Sequence, residues 1–327
     1  MSNRLTRLLA FPAVCAVLCA MADAPVAAQS YPTRTVRIVV PFAPGGPADT
    51  LGRVLADKLS QFWSQPVVID NRGGAGGNIG ADLVARAPPD GYTLFVNPSN
   101  HVINASLYEK LSYDPIRDFT PITEIASYML VLVVHPSVPV STLTEFVAFA
   151  KAKPGGLPVA NASTGTPTHL TAALFGQMAG VEFVHVPYKG AAPANSDLLG
   201  GQVLAMFNNP INALPQIRAK ALRAIAVTGA KRLSLMPELP TVAEEGYPGF
   251  EATTWFGLFG PANLPPEVVA KVNADVVRAL DLPDVREKLG AQGFKVAGNS
   301  PQEFAAFVRT ELDKWSKVVR AANLKVE

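Results

Sequence analysis

Short apolar runs rich in valine and isoleucine recur along the chain, and after most of them the apolar positions return every third or fourth residue. Runs of the first kind fall at 35–42 (TVRIVVPF), 66–70, 92–97, 130–135, 157–161, 182–188, 203–208 and 222–228, with the length and composition of buried strands. The second pattern is plainest in three stripes: Leu51, Val54, Leu55, Leu59 and Phe62; Val269, Val272, Val276 and Leu280; and Phe304, Phe307, Val308, Leu312, Trp315 and Val319. Such stripes predict amphipathic helices laid on sheets. The last opens on Ser300, Pro301 and Glu303, a capping box with proline at the first helical position. Strand and helix in alternation predict the α/β class with parallel-rich sheets and flanking helices, because parallel neighbours need a crossover between them.

Length divides that pattern in two. A chain of 327 residues exceeds the size at which one core stops growing, and its 49% apolar content supplies a core for each of two lobes. A formal charge of +2, with no run of lysine or arginine, lacks the footprint of a nucleic-acid binder or a membrane patch. Arg4 and Arg7 precede the apolar segment 8–22, and small residues follow at 26–28, so residues 1–28 read as a cleaved secretory signal. Pro12 interrupts that segment, which is shorter than the roughly 18 to 20 apolar residues a membrane span needs. Cys15 and Cys19 lack the small preceding residue of a lipoprotein signal and leave with the segment, so the product is read as soluble, cysteine-free and exported.

In α/β sheets ligands collect where strand ends lead into helices. Three such loops stand out: 41–50 (PFAPGGPADT), 161–170 (NASTGTPTHL) and 187–199 (PYKGAAPANSDLL), all rich in Gly, Pro, Ser or Thr. Rival motifs fit less well. In 73–80 (GGAGGNIG) the glycines are spaced GxGxxxG and no acid follows the next strand, which argues against a dinucleotide; 41–50 lacks the GK[ST] of a phosphate loop. Ser163 imitates a nucleophile elbow, but Asn161 stands where the first glycine belongs and His169 lies on the following helix, so a secreted hydrolase is kept as a distant alternative. His101, His135, His169 and His185 show no metal-ligand spacing, and no metal or cofactor is called for.

The segments 40–53 (VPFAPGGPADTLGR), 71–94, 113–122, 185–190 (HVPYKG), 238–251 and 255–269 together resemble the periplasmic substrate-binding receptors of tripartite tricarboxylate transporters, the Bug-type or TctC-like family. The stretches 97–104 (NPSNHVIN) and 207–209 (FNN) depart from the commoner pattern of that family. The resemblance implies a type II-like periplasmic-binding-protein (flytrap) fold: two lobes, two sheets, and two crossings, near 130–135 and 253–258. Domain one is then 31–131 plus 256–327, and domain two 132–255. It implies a small carboxylate ligand, delivery to the membrane components of a tripartite transporter, and no catalysis. A receptor that signals to a membrane sensor stands as the alternative.

Carried over by position, the ligand loops contain Phe42, Pro44, Gly45, Gly46, Ser99, Ser163, Thr164, Gly165, Thr166, Thr168, His169, Tyr188, Lys189, Gly190 and Ala191. A carboxylate held this way needs no counter-ion, since helix N-terminal amides, the macrodipole and hydroxyls suffice. Lys189 is read either as a solvated rim residue or as a direct contact, Arg72 as a loop brace, and Trp255 as core or hinge packing. With Gly46 as N-cap and Pro47 at the first helical position, Asp49 falls third and is expected to brace its loop by bonding back to the N-cap amide.

Overall fold

The alternation read from the sequence is built element by element. The computed structural model describes residues 31–321, so the secretory signal read at 1–28 lies outside the described residues. The order is β1 (Val36–Val40), α1 (Pro47–Trp63), β2 (Val67–Asn71), α2 (Asn78–Ala85), β3 (Thr93–Pro98), α3 (Asn100–Leu107), β4 (Phe119–Met129), β5 (Val131–Val134), α4 (Leu143–Lys151), β6 (Leu157–Asn161) and α5 (Pro167–Ala179). It continues with β7 (Phe183–Pro187), α6 (Ala191–Leu199), β8 (Ala205–Asn208), α7 (Pro210–Arg218), β9 (Arg223–Val227), β10 (Thr253–Pro261), α8 (Pro266–Asp281), α9 (Pro283–Gly290), β11 (Lys295–Val296) and α10 (Pro301–Ala321). All of these lie in the unit Arg34–Glu327. Helices α1, α5, α7, α8, α9 and α10 open on proline, whose missing N–H costs nothing in the first turn. No helix of the described residues is long and apolar enough to cross a membrane.

The strands form two sheets, β11-β4-β10-β3-β1-β2 and β7-β6-β8-β5-β9. Their predicted parallel character holds only where crossover helices connect neighbours, as in β1 with β2 and β3, and β6 with β7 and β8. Strands β4, β10 and β5 pair antiparallel, so both sheets are mixed rather than parallel-rich. The cause is connectivity: β4 runs directly into β5 of the other sheet, and β10 brings the chain back. At that junction Thr228 joins the two passages. Its amide donates to the Leu130 carbonyl (2.9 Å) and its hydroxyl accepts from the Leu130 amide (2.8 Å). The same hydroxyl donates to the Ala252 carbonyl (2.7 Å).

Each sheet has its own core. One gathers Phe95, Phe119, Phe259, Phe304 and Trp315, the other Val131, Val133, Met206, Leu214 and Val227. Two stripes are displaced by one residue: Trp63 is buried where Phe62 was expected, and Val268 where Val269 was. Phe62 instead lies under the Arg278 guanidinium. The Ser300–Glu303 capping box forms, with the Glu303 amide donating to Ser300 Oγ (3.2 Å) and the Ser300 amide to Glu303 Oε2 (2.9 Å). Trp255 is core, its Nε1 donating to Glu311 Oε2 (2.9 Å) and its ring set edge-on to Phe304.

Candidate functional site

The carboxyl ends of β1, β3, β6, β7 and β8 face a cavity between the two sheets. One sheet contributes Phe42, Gly46, Pro47, Ala48 and Pro98; the other contributes Ala162, Thr166, Pro167, Thr168, Ala191 and Asn209. Tyr128, Thr254 and Phe256, on the antiparallel pair β4–β10, complete the lining. None of these side chains is charged.

Helix starts dominate the walls because each loop is short and ends in a proline or small residue. Gly46 is the N-cap of α1 and Thr166 that of α5, both extended, both followed by proline, and neither N-cap side chain bonds the helix. The amides of Ala48 and Asp49, and of Thr168 and His169, therefore lack an intrahelical acceptor. First-turn amides of this kind can bond an anion, and one such helix start lies on each side of the cavity.

Two hydroxyls of the 163–169 loop, those of Thr166 and Thr168, are used internally. Thr166 Oγ1 donates to the Ser163 carbonyl (2.6 Å), which leaves Thr168 Oγ1 to donate to Thr166 Oγ1 (2.9 Å) while accepting from the Ala162 amide (2.9 Å). Neither of these two threonines has a hydrogen left for a ligand, so at this helix start the donors that remain are the amides. His169 is buried and braces the same loop: its Nδ1 accepts from the Gly165 amide (3.1 Å), which places the proton on Nε2. Ser163 makes no hydrogen bond to it, so no nucleophile–base pair exists and the hydrolase alternative loses its geometry.

Burial, with a smaller contribution from His185, lowers the His169 pKa to about 4. A buried base with a depressed pKa stabilises the fold fully above its unfolded value near 6.5, and that stability is lost as pH falls from there to about 4. His101, buried, donates from Nε2 to the Pro115 carbonyl and accepts at Nδ1 from Asn97 Nδ2; burial lowers it too to about 4, and it adds to the same window. The wild type should therefore lose stability between pH 6.5 and 4 more steeply than His169→Gln, by up to about 3 kcal/mol at the acid end. Urea midpoints at several pH values check this; parallel curves would refute it.

Asp49 accepts from the Gly45 amide (3.0 Å), Arg53 Nε (2.8 Å) and Asn71 Nδ2 (3.0 Å). The bond reaches Gly45, not the Gly46 amide expected of a capping box: the loop folds back one residue earlier, with Gly45 at φ +85°. Burial alone would raise this carboxyl, but those three bonds outweigh it and hold its pKa below the ordinary value. Asp49→Asn should cost about 2 kcal/mol of stability, because one acceptor oxygen becomes a donor facing donors. Denaturant unfolding measures it, with an unchanged midpoint as the contrary result.

A second, outer groove is lined by Phe42, Pro44, Gly73, Ser163, Tyr188 and Lys189, among others. Tyr188 donates to Asp197 Oδ2 (2.8 Å), and burial followed by that carboxylate raises its phenol to about 12. Lys189 is exposed.

Of the residues expected in the site, Phe42, Gly46, Thr166, Thr168 and Ala191 line the inner cavity, and Pro44, Ser163, Tyr188 and Lys189 the outer groove. The others line neither. Gly45 and Gly165 donate to Asp49 and His169, and Gly190 donates to the Ala162 carbonyl (2.7 Å). Ser99 is fully buried at the start of α3. Thr164 and Gly165 pack against the other side of the cleft: a Cβ at Gly76 would lie 2.8 Å from the Thr164 carbonyl. Sequence reasoning missed Tyr128, Thr254 and Phe256, which carry no motif. Asn209 had a signal, the unusual FNN at 207–209; it caps α7 by accepting from the Asn212 amide (3.0 Å).

The model of the tripartite tricarboxylate transporter family receptor, TctC, matches residues 51–324. A UPF0065 protein from the tcbD-tcbE intergenic region of Pseudomonas sp. (strain P51) is 41% identical over 292 residues, 89% of this chain and 87% of that one. Among solved structures, R. palustris Rpa4515 with adipate is 38% identical with a TM-score of 0.87, covering 90% of this chain and all of that one. The periplasmic binding protein BugD is 35% identical with the same TM-score, again over 90% of this chain and 100% of its own. MatC from Rhodopseudomonas palustris with bound malate is 37% identical at 0.85, over 88% and 100%.

Proposed function

The chain belongs to the tripartite tricarboxylate transporter receptor family, and on that premise we propose that its inner cavity captures a small organic carboxylate for delivery to the membrane components of such a transporter. It is a two-lobed solute-binding receptor, not an enzyme. The observation that carries the ligand class is the pair of proline-led helix starts, α1 and α5, whose first-turn amides border one uncharged cavity. Such amides favour an anion without a counter-ion, and an uncharged wall avoids repelling it. Adipate and malate in the related Rpa4515 and MatC support the same class.

Domain one is taken as 31–131 with 256–327, and domain two as 132–255, so that the passages tied by Thr228 act as the hinge between them. Residues 1–28 direct the chain to the periplasm and are removed; the mass of the exported product tests this, and retention of Cys15 and Cys19 would refute it.

A thermal-shift screen of organic acids tests the ligand class. An acid at 100 times its dissociation constant adds about 2.7 kcal/mol of stability, enough to raise the melting temperature by a few degrees. Because no charged side chain lines the cavity, affinity for that acid should fall less than threefold between 50 and 500 mM salt. A steep fall would bring Lys189 into contact with the ligand.

A further inference from the structure

His169 sits beside the ligand loop without lining either the inner cavity or the outer groove. It is 7% exposed, and its Nδ1 accepts from the Gly165 amide (3.1 Å) across the turn that opens α5. Gly165 is in turn a point at which that loop meets the other side of the cleft. A Cβ on it would come within 2.9 Å of Asn104 Oδ1 and closer still to Leu107, both on α3. One imidazole nitrogen thus fixes the residue through which the 163–169 loop meets α3.

That nitrogen accepts only while it carries no proton. A proton on Nδ1 would set one N–H against another, and the loop would have to turn away. The surroundings hold the ring neutral. Helix α5 packs on β6, β7 and β8; β6 and β8 carry no ionisable side chain, and α5 carries none besides His169. β7 carries His185, its ring edge-on to His169 with centroids 4.5 Å apart and its Nδ1 buried without a partner. Lys189, beyond the end of β7, is exposed, and Tyr247 lies against Phe175 later in α5. Across the cleft Tyr108 approaches Gly165, and burial keeps its phenol protonated. Among the described residues no carboxylate offsets a charge on His169, and burial with the His185 ring keeps it neutral down to about pH 4.

We propose that His169 is a positioning residue that makes ligand capture proton-sensitive: neutral, it holds Gly165 and the 163–169 loop in the binding arrangement, and protonation frees that loop from α3 and releases the carboxylate. This rests on the reading of the inner cavity as a carboxylate site. The sign separates it from a direct contact. An imidazolium touching the anion would tighten binding as pH falls, whereas loss of the Gly165 bond weakens it. A ring held neutral in the formed loop contributes fully above its ordinary value near 6.5 and loses that contribution as pH falls from there to about 4. At pH 5.0 the freed loop is therefore favoured by about 30-fold relative to pH 7.5.

Amide hydrogen exchange followed by NMR reads the loop without ligand. Normalised to intrinsic exchange rates and to the amides of β6, which report global opening, the opening of Gly165 should rise at least tenfold from pH 7.5 to pH 5.0 in the wild type. His169→Asn, whose Oδ1 takes the place of Nδ1 and does not titrate, should show less than a twofold rise; His169→Phe, with no acceptor, should show the freed loop at both values. Calorimetric titration with adipate and malate follows the consequence. The fall in affinity over the same range should be at least fivefold larger in the wild type than in His169→Asn, a ratio from which the acid's own titration cancels. Binding that tightens at pH 5.0 relative to the variant, or exchange and affinity that change alike in both proteins, overturns the proposal. Failure of both acids to bind at 10 mM counts against the carboxylate reading, and the exchange ratio, measured without ligand, then still supports or overturns the hold of His169 on Gly165.

Discussion

Gly46→Val is expected to abolish ligand binding, a loss of at least 100-fold in affinity, in a protein that still folds. Gly46 adopts φ −88° and ψ 173°, extended backbone open to any residue, and a Cβ there meets nothing closer than the Ala43 carbonyl at 3.9 Å. The substitution therefore carries little backbone strain. The two added methyl groups enter a wall of the cavity beside the first-turn amides of α1, where a carboxylate oxygen must come within about 3 Å of an N–H. Calorimetric titration with the acid found by the thermal-shift screen gives the affinity, and circular dichroism with thermal melting gives the fold. Wild-type affinity in a folded variant would show that the anion does not use the α1 end.

Gly165→Ala should weaken binding by about 30- to 100-fold for a different reason. Gly165 has φ +77°, and a Cβ there would lie 2.5 Å from Leu107 Cδ2 and 2.9 Å from Asn104 Oδ1, both on α3 across the cleft. Asn104 cannot easily yield, since its Nδ2 donates to Asn78 Oδ1 (2.6 Å) and to the Gly76 carbonyl (3.2 Å). The added methyl thus opposes the approach of the 163–169 loop to α3, and with it the closed arrangement. Opposing closure by about 2 to 3 kcal/mol lowers apparent affinity by the stated factor. Small-angle scattering should show the variant remaining more extended when the acid is present, while the wild type contracts. Contraction equal to the wild type, with unchanged affinity, would remove Gly165 from the closing contact.

Most of the fold was legible because periodicity is a local property. All eight predicted strands form within two residues of their expected ends, and the proline-led starts of α1 and α10 fall where the motifs put them. The strands that escaped were those shaped by distant partners. β4 carries Pro121 and polar residues scattered at Thr120, Thr123, Glu124 and Ser127, and β10 carries Gly257, Gly260 and Pro261, compositions that argue against a strand when read alone. Each is held by the other along most of its length. Gly257 is required there because a Cβ would overlap the Phe304 ring of α10, which lies 47 positions later in the chain.

The candidate site divides in the same way. Its loops were recognisable by Gly, Pro, Ser and Thr at strand ends, and Gly46, Thr166 and Ala191 line the cavity as those loops suggested. Which atoms remain available was not recognisable. The Thr166 hydroxyl closes on the Ser163 carbonyl and that of Thr168 on Thr166, while His169 turns its ring nitrogen to the Gly165 amide.

By itself the sequence determined the α/β class, the family, and the helix starts that face the cavity, because strand and helix periods and proline's preference for the first helical turn act within a few residues. Only the tertiary structure decided that both sheets are mixed, that Asp49 binds Gly45 rather than Gly46, and that Tyr128 and Thr254 meet in the cavity lining. The meeting of Tyr128 with Thr254 joins segments more than a hundred residues apart, the antiparallel pairs of the second sheet join segments some 70 to 100 apart, and Asp49 is turned to Gly45 by a bond it shares with Asn71, 22 positions away. No local pattern of side chains encodes which partner a hydroxyl or a strand edge will find once the chain has closed on itself.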